Sequence, residues 1–214
     1  MNFLKSLYSL FALELIIAVT WTSFALSYFP EFGYGIKNWW EFAIVSGVLC
    51  LLILLACFFF PFTSRLPINI IMYLLFTFCF MHFTSWLCLV DPSYLVYYLL
   101  WLLLAIAVGF AIYAWFAATY MSTVLSINVI VASTLIIFTA FLIFSDIKFA
   151  GLLLVLLGAI VYGFYLNYDI RKMVRGGVYE YGRDDPWTGA VRIWIESLFV
   201  FCRFIELLGR SCCR

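Results

Sequence analysis

The last apolar stretch of the sequence carries an unusual number of ionisable residues. It contains Arg192, Glu196, Arg203 and Glu206, at successive spacings of four, seven and three residues. These spacings place all four side chains near one face of a helix. Because ionisable residues are costly inside a membrane, each one is a candidate functional residue. Two interpretations stay open: an amphipathic helix on the membrane surface with local ion pairs, or a central helix whose charged stripe faces the interior of a bundle.

A second carboxylate, Asp169, ends the preceding apolar stretch, at the membrane level where the last stretch begins. Two antiparallel helices joined by a short loop would bring Asp169 close to Glu196. In a poorly solvated site each negative charge opposes ionisation of the other, so the pair would share a proton near neutral pH and titrate as a unit. Loss of that proton would push the two helices apart. The alternative is separate ion pairs, Glu196 with Arg192 and Asp169 with Lys172.

Three polar residues in the earlier part of the sequence, two within predicted helices and one in a turn, also need an explanation. Glu14 stands in the middle of the first apolar stretch, where a bare carboxylate would cost several kcal/mol unless it is protonated or paired. It is either part of a transport pathway or a neutral acid bonded to a neighbouring helix. Arg65 is predicted at the membrane level of Asp169, either as an ordinary cytosolic basic residue or as a clamp on that carboxylate. His82 is predicted to be a packed helix residue.

The composition requires membrane helices to position these residues. Of the 214 residues, 67% are hydrophobic and only 11% are charged, which excludes a typical soluble domain. Seven helices that cross about 30 Å of hydrocarbon would use about 140 to 160 residues. We therefore expect an all-α membrane protein, a seven-helix transmembrane bundle in which residues 1–214 form a single polytopic domain. The predicted spans are Leu7–Tyr28, Phe42–Phe62, Ile68–Val90, Leu95–Thr119, Val124–Phe144, Phe149–Tyr168 and Ala190–Leu208.

The distribution of basic residues predicts a cytosolic N-terminus. With odd-numbered spans running outward, six basic residues lie in the cytosol, in agreement with the positive-inside rule. A full seventh crossing would place Arg210 and Arg214 outside, against this rule, whereas a last segment that enters the membrane and returns would keep them in the cytosol. The six cytosolic residues are Lys5, Arg65, Arg171, Lys172, Arg175 and Arg183.

Several function classes are not supported by the sequence. The formal net charge of +1 offers no basic surface to nucleic acid. The seven cysteines show no metal-ligand spacing, so we expect neither a structural metal nor a cofactor. No hydrolytic triad, phosphate-binding loop or zinc-protease helix is recognisable, and we therefore do not expect an enzyme.

The last third of the sequence resembles a known family. Residues 157–169, LGAIVYGFYLNYD, are similar to the sixth-helix signature of the transmembrane BAX-inhibitor-motif family, also called lifeguard proteins. Residues 190–196, AVRIWIE, resemble that family's A-L-x-L-Y-L-D segment. Weaker similarity at Phe3–Leu10 and Arg65–Asn69 extends the resemblance over essentially the whole chain.

The resemblance implies a seven-helix bundle with the last helix at its centre. It also implies a pH-sensitive calcium leak across an internal membrane, the endoplasmic reticulum or Golgi, and suppression of cell death. The family's di-aspartyl sensor falls on Asp169 and Glu196, where calcium ions could bind transiently. This chain has glutamate instead of the second aspartate, Phe199 instead of a usual asparagine, and Arg171 where glutamine is common, which adds a positive charge beside Asp169.

Three functions are therefore compared. The leading hypothesis is a multi-pass calcium leak channel or leak regulator gated by Asp169 and Glu196. Five further residues would supply supporting charges: Arg192, Arg203, Arg65, Arg171 and Glu14. The expected partners are the lipid bilayer, calcium ions and other membrane proteins of cell-death signalling. The alternative is a non-conducting interaction protein, favoured by Phe199 and Arg171. The third hypothesis, suggested by Glu14, is a transporter of protons or a small organic solute.

Overall fold

The computed structural model describes residues 2–27, 40–60, 65–90, 95–116, 122–145, 149–174 and 185–194, with the backbone alone at 2, 169 and 172–174. The regular elements within these ranges are helices, which confirms the predicted fold class. A seventh helix, α7, runs over residues 186–194, where the described chain ends. The six long helices are α1 Asn2–Ser27, α2 Trp40–Phe59, α3 Ile68–Val90, α4 Leu95–Phe116, α5 Thr123–Phe144 and α6 Phe149–Val174.

The six long helices match the predicted membrane spans. Each is long and apolar enough to cross a membrane, because about 20 apolar residues in helical form cover the hydrocarbon thickness. Helix α3 has the predicted bounds. Helix α1 begins five residues earlier than predicted, since Phe3 and Leu4 pack against the core. Helix α6 continues past Asp169 to Val174, so the end of the apolar stretch is not the end of the helix.

Helix α5 begins where polar residues interrupt the apolar sequence. Ser122 has an extended backbone conformation, and its side-chain oxygen accepts a hydrogen bond of 3.2 Å from the backbone N–H of Leu125. This is an N-cap, which satisfies one of the free N–H groups at a helix start. The predicted break between the fourth and fifth spans is therefore confirmed.

Helix α4 holds much of the described bundle together, because it packs against α1, α5 and α6 and more lightly against α3. Helix α1 packs against both α3 and α4. Hydroxyl groups add hydrogen bonds between helices: the Oγ atoms of Thr22 and Ser85 lie 2.8 Å apart, and Ser23 Oγ lies 2.9 Å from the Tyr97 hydroxyl. Such short polar side chains commonly join helices in a membrane, where lipid offers no competing partner.

Helix α7 begins at Pro186, four residues before the predicted start of the last span. The carboxylate of Asp185 accepts a 3.1 Å hydrogen bond from the Trp187 backbone N–H, and proline suits the first helical position because it has no N–H to satisfy. The Asp-Pro pair is thus a start signal inside the hydrophilic tract, upstream of the first apolar residue of the predicted span. Residues 195–208 of the predicted span lie outside the described residues.

The described part of α7 is surrounded by other helices, in agreement with the predicted central position. Ala190, Val191 and Ile193 are at most 1% exposed. The helix contacts α1 through the close approach of Gly189 to Leu7, and it contacts α3, α6 and α2 through the residues described below.

Candidate functional site

The predicted acid pair falls largely outside the described residues. Asp169 lies within α6, but its side chain is not described, and Glu196 and Arg203 belong to the undescribed segment that follows α7. The separation of the two carboxylates therefore stays a prediction. The structure does describe the end of the bundle where α6 ends and α7 begins, and it places Arg65, Arg171 and Arg192 there.

Arg192 binds the end of helix α2. Its Nε and Nη2 atoms donate hydrogen bonds of 2.8 and 2.5 Å to the carbonyl oxygen of Cys57, and the residue is only 7% exposed. Carbonyl groups in the last turn of a helix have no partner within it, and the helix dipole makes that end negative. The guanidinium group therefore binds this carbonyl oxygen and fastens α7 to α2. The sequence did not predict the contact with Cys57, and the alternative in which Arg192 also pairs with Glu196 stays a prediction because Glu196 lies outside the described residues.

Asp185 fastens the start of α7 to helix α3. In addition to capping α7, its Oδ1 atom accepts a 2.9 Å hydrogen bond from the side-chain amide of Asn69, and its Oδ2 atom accepts one from the Thr188 hydroxyl. All three side chains are buried. The carboxylate thus joins two helices that are 116 residues apart in sequence. Sequence reasoning did not single out this residue, although the Asp-Pro pair was an available signal.

Replacing Asp185 with alanine is expected to lower the free energy of unfolding by about 1–3 kcal/mol, because the helix loses its cap and Asn69 and Thr188 lose a buried acceptor. Chemical unfolding of the purified protein in detergent measures this change. The matched control is Ser122→Ala, which removes a cap whose side-chain hydrogen bond stays within α5 and should cost about 1 kcal/mol or less. Equal losses for the two variants would contradict the proposed link between α3 and α7.

Arg171 forms a second polar contact at this end of the bundle. Its side chain donates hydrogen bonds to Asn167 Oδ1 at 3.2 Å, to Thr123 Oγ1 at 2.7 Å and to Ser126 Oγ at 3.1 Å. The guanidinium group therefore joins α6 to the start of α5. Arg65 lies just before α3 with an exposed side chain, and its predicted cytosolic position stays a prediction. The predicted clamp on Asp169 is not tested, since that carboxylate is not described.

Glu14 is the most unusual polar residue within the described membrane spans. It is completely buried, and neither carboxyl oxygen has a hydrogen-bond partner in the described part of the chain. Tyr73 and Cys50 lie within electrostatic range of this carboxyl group. The Tyr73 hydroxyl instead donates a 2.8 Å hydrogen bond to the Leu10 carbonyl, one turn before Glu14. The Trp194 indole of α7 lies near the carboxyl group, so both predicted alternatives, a pathway residue and a neutral acid bonded to a neighbouring helix, stay open.

Trp194 lies beside Glu14 at the end of the described part of α7. Its indole ring is near the Glu14 carboxyl group, but the indole nitrogen makes no hydrogen bond of good geometry with it or with another described residue. The ring packs against Phe11 of α1, Phe80 of α3 and Tyr162 of α6, at centroid distances of 5.4, 4.4 and 6.5 Å. Trp194 thus links three helices around the buried acid, and sequence reasoning did not predict it.

His82 packs among aromatic rings, as the sequence suggested. The rings of Trp21, Phe42 and Phe78 lie 5.5, 5.2 and 4.7 Å from it, all near edge-to-face geometry. No group of three His, Cys, Asp or Glu side chains is placed to hold a metal ion within the described ranges.

Comparisons with known proteins give the same family as the sequence motifs. A family model described as "Inhibitor of apoptosis-promoting Bax1" matches residues 1–212. The chain is 23% identical over 215 residues to Protein lifeguard 3 from Homo sapiens, an alignment that covers 97% of this chain and 68% of that relative. No solved structure matches it. Since the family model spans almost the entire chain, this multi-pass membrane protein belongs to the Bax-inhibitor family, whose members are associated with suppression of apoptosis.

Proposed function

We propose that this protein is a pH-sensitive calcium leak channel, or a regulator of such a leak, in the membrane of the endoplasmic reticulum or Golgi. Asp169 and Glu196 form its gate: they hold the channel closed while they share a proton and separate when the proton is lost. Suppression of cell death is the physiological result. The protein uses no cofactor and catalyses no reaction.

The observation that carries this proposal is the buried carboxyl group of Glu14 in a bundle of the Bax-inhibitor family. Ionisable residues inside a membrane are rare and commonly mark ion or proton pathways. Glu14 is fully buried, has no hydrogen-bond partner among the described residues and lies beside α7. A cation that passed the gate at the α6–α7 end would meet this carboxylate in the middle of the bundle.

Calcium flux in liposomes tests the gate. We expect the wild-type protein to conduct more calcium at pH 8 than at pH 6, because the acid pair ionises as the pH rises. Glu196→Gln should remain closed at both values, since an uncharged amide removes the repulsion between the two side chains. Flux that is absent, or that is unaffected by both pH and the substitution, would rule out this mechanism.

The same assay separates the gate from the pathway. Glu14→Gln preserves the shape of the side chain but removes the group that can lose its proton when a calcium ion enters the pathway. It should therefore lower the flux at every pH and leave the pH dependence in place. The matched control is Glu41→Gln, which changes an exposed glutamate at the start of α2. If Glu14→Gln behaved like this control, Glu14 would not belong to the pathway.

A second candidate function is a non-conducting membrane protein that binds other proteins of cell-death signalling. Its support is the surroundings of Glu14, where the described neighbours are aromatic rings and a thiol, as in a closed bundle. The double variant Asp169→Asn, Glu196→Gln distinguishes the two functions. Full protection of stressed cells by this variant would favour the interaction protein, whereas loss of protection would favour the leak.

A further inference from the structure

An apolar groove of about 570 Å³ opens on the side of the described bundle, where α2, α3 and α4 meet. Its rim is formed by Ile44, Val48 and Leu51 of α2, each about half exposed. Its inner wall contains the buried side chains of Leu54 and Phe76. The inner wall also contains the Trp194 ring. The groove therefore leads from the lipid-facing surface of α2 to the ring that lies beside Glu14.

The position of the groove determines what can fill it. It lies along helices that cross the membrane, so the medium outside its rim is hydrocarbon rather than water. Water would gain little there, since a buried water needs several polar partners and the lining is almost entirely apolar. An empty groove would leave its lining atoms without dispersion contacts. A flexible hydrocarbon chain from the bilayer needs no polar partners, and it would supply the dispersion contacts that the lining atoms otherwise lack.

We propose that this groove is a binding site for one acyl chain of a membrane phospholipid. The chain enters sideways past Val48 and Leu51, and its methyl end rests against Trp194. The volume is within the range of about 300–1,000 Å³ that is typical of ligand sites. The polar headgroup stays outside the groove, at the membrane surface.

The bound chain would affect the buried acid through Trp194. This ring forms part of the groove wall and is also near the Glu14 carboxyl group. Cys50 has a similar position, since it lines the groove and lies within electrostatic range of Glu14. An acyl chain therefore supports the side-chain layer that separates Glu14 from lipid. An effect of this chain on calcium flux rests on the proposed function, whereas the binding itself does not.

Photolabelling tests the binding without any measurement of flux. The purified full chain is reconstituted at low density in vesicles of phosphatidylcholine that carries a photoreactive group near the end of one acyl chain. Labelled residues are then identified by mass spectrometry. We expect strong labelling of the inner wall, at Leu54, Phe76 and Trp194. Labelling confined to outward-facing residues of the helices would overturn the proposal.

Two tryptophan substitutions on α2 form a matched pair. Leu51→Trp places a large ring in the mouth of the groove, whereas Leu52→Trp places the same ring on the neighbouring residue, which does not line it. The two leucines are similarly exposed, at 48% and 55%. We expect Leu51→Trp to lower labelling of the inner wall roughly tenfold, the equivalent of about 1.4 kcal/mol, and Leu52→Trp to leave it unchanged.

Three results would contradict an acyl chain as the occupant. Equal labelling of the inner wall in both variants would show that the label does not enter past Leu51. Replacement of lipid labelling by crosslinks between protein copies would show that a second copy covers the groove. Loss of labelling with Leu52→Trp alone would show that the label reaches the wall by another route.

Discussion

Replacing Arg192 with alanine is expected to lower the free energy of unfolding by about 2–4 kcal/mol, as measured by chemical unfolding in detergent. The variant loses two hydrogen bonds from a buried guanidinium group and leaves the Cys57 carbonyl without this donor. Hydrogen bonds to charged groups are stronger than those between neutral groups, so the loss of two such bonds in a buried position is costly. The loss should also weaken the attachment of α7 to α2.

Two further variants define the cause of this loss. Arg192→Lys keeps the charge but has no planar fork with two parallel donors, so we expect an intermediate effect. Arg65→Ala removes an exposed arginine near the same end of the bundle and should change stability by about 0.5 kcal/mol or less. A loss for Arg192→Ala no larger than that for Arg65→Ala would mean that the contact with Cys57 contributes little.

Replacing Gly163 with leucine is expected to destabilise the bundle by about 3 kcal/mol, the upper part of the range for overpacked cores. A Cβ atom at this position would lie 2.9 Å from Cγ2 of Ile130 and 3.1 Å from Cδ1 of Ile106. The Ile130 methyl group is attached to a stiff β-branched carbon, so it has little freedom to move away. Gly163 therefore permits the close approach of α6 to α4 and α5, as small residues do in many membrane helices.

Gly158 provides the control on the same helix. A Cβ atom there would meet nothing within 4 Å, and glycine is a poor helix former. We therefore expect Gly158→Leu to leave the unfolding free energy unchanged or to raise it slightly. The same detergent unfolding experiment compares the two variants. Equal destabilisation by both would show that the effect comes from the added leucine itself and not from the contact with Ile106 and Ile130.

The two glycines belong to the segment that resembles the sixth-helix signature of the family, yet their environments differ. Sequence similarity placed both residues on α6, because the motif is continuous and its register along one helix is fixed. It gave no information about which side of the helix faces other helices and which faces lipid. Hydropathy does not distinguish the two sides, because both the interior of the bundle and the surrounding lipid accept apolar side chains.

The sequence by itself determined the number of described spans and most of their bounds. Hydrocarbon thickness fixes the length of a spanning helix, and polar interruptions such as Ser122 mark where each one starts or stops. The family motif also placed Asp169 on α6. The start of α7 was harder to predict, because apolar character begins at Ala190 whereas the helix begins at Pro186.

Only the tertiary structure decided which polar groups meet. Arg192 and Cys57 are 135 residues apart in sequence, and Asn69 and Asp185 are 116 apart. Nothing in the local sequence of either pair indicates its partner, because each contact depends on how separate helices pack. The sequence marks Glu14 as a costly residue, but its proximity to Trp194 depends on the packing of α7 against α1. The sequence thus determines which segments enter the membrane, because insertion depends on the free energy of transferring their side chains from water to lipid. The partners of buried polar groups depend instead on how the helices fit together in three dimensions.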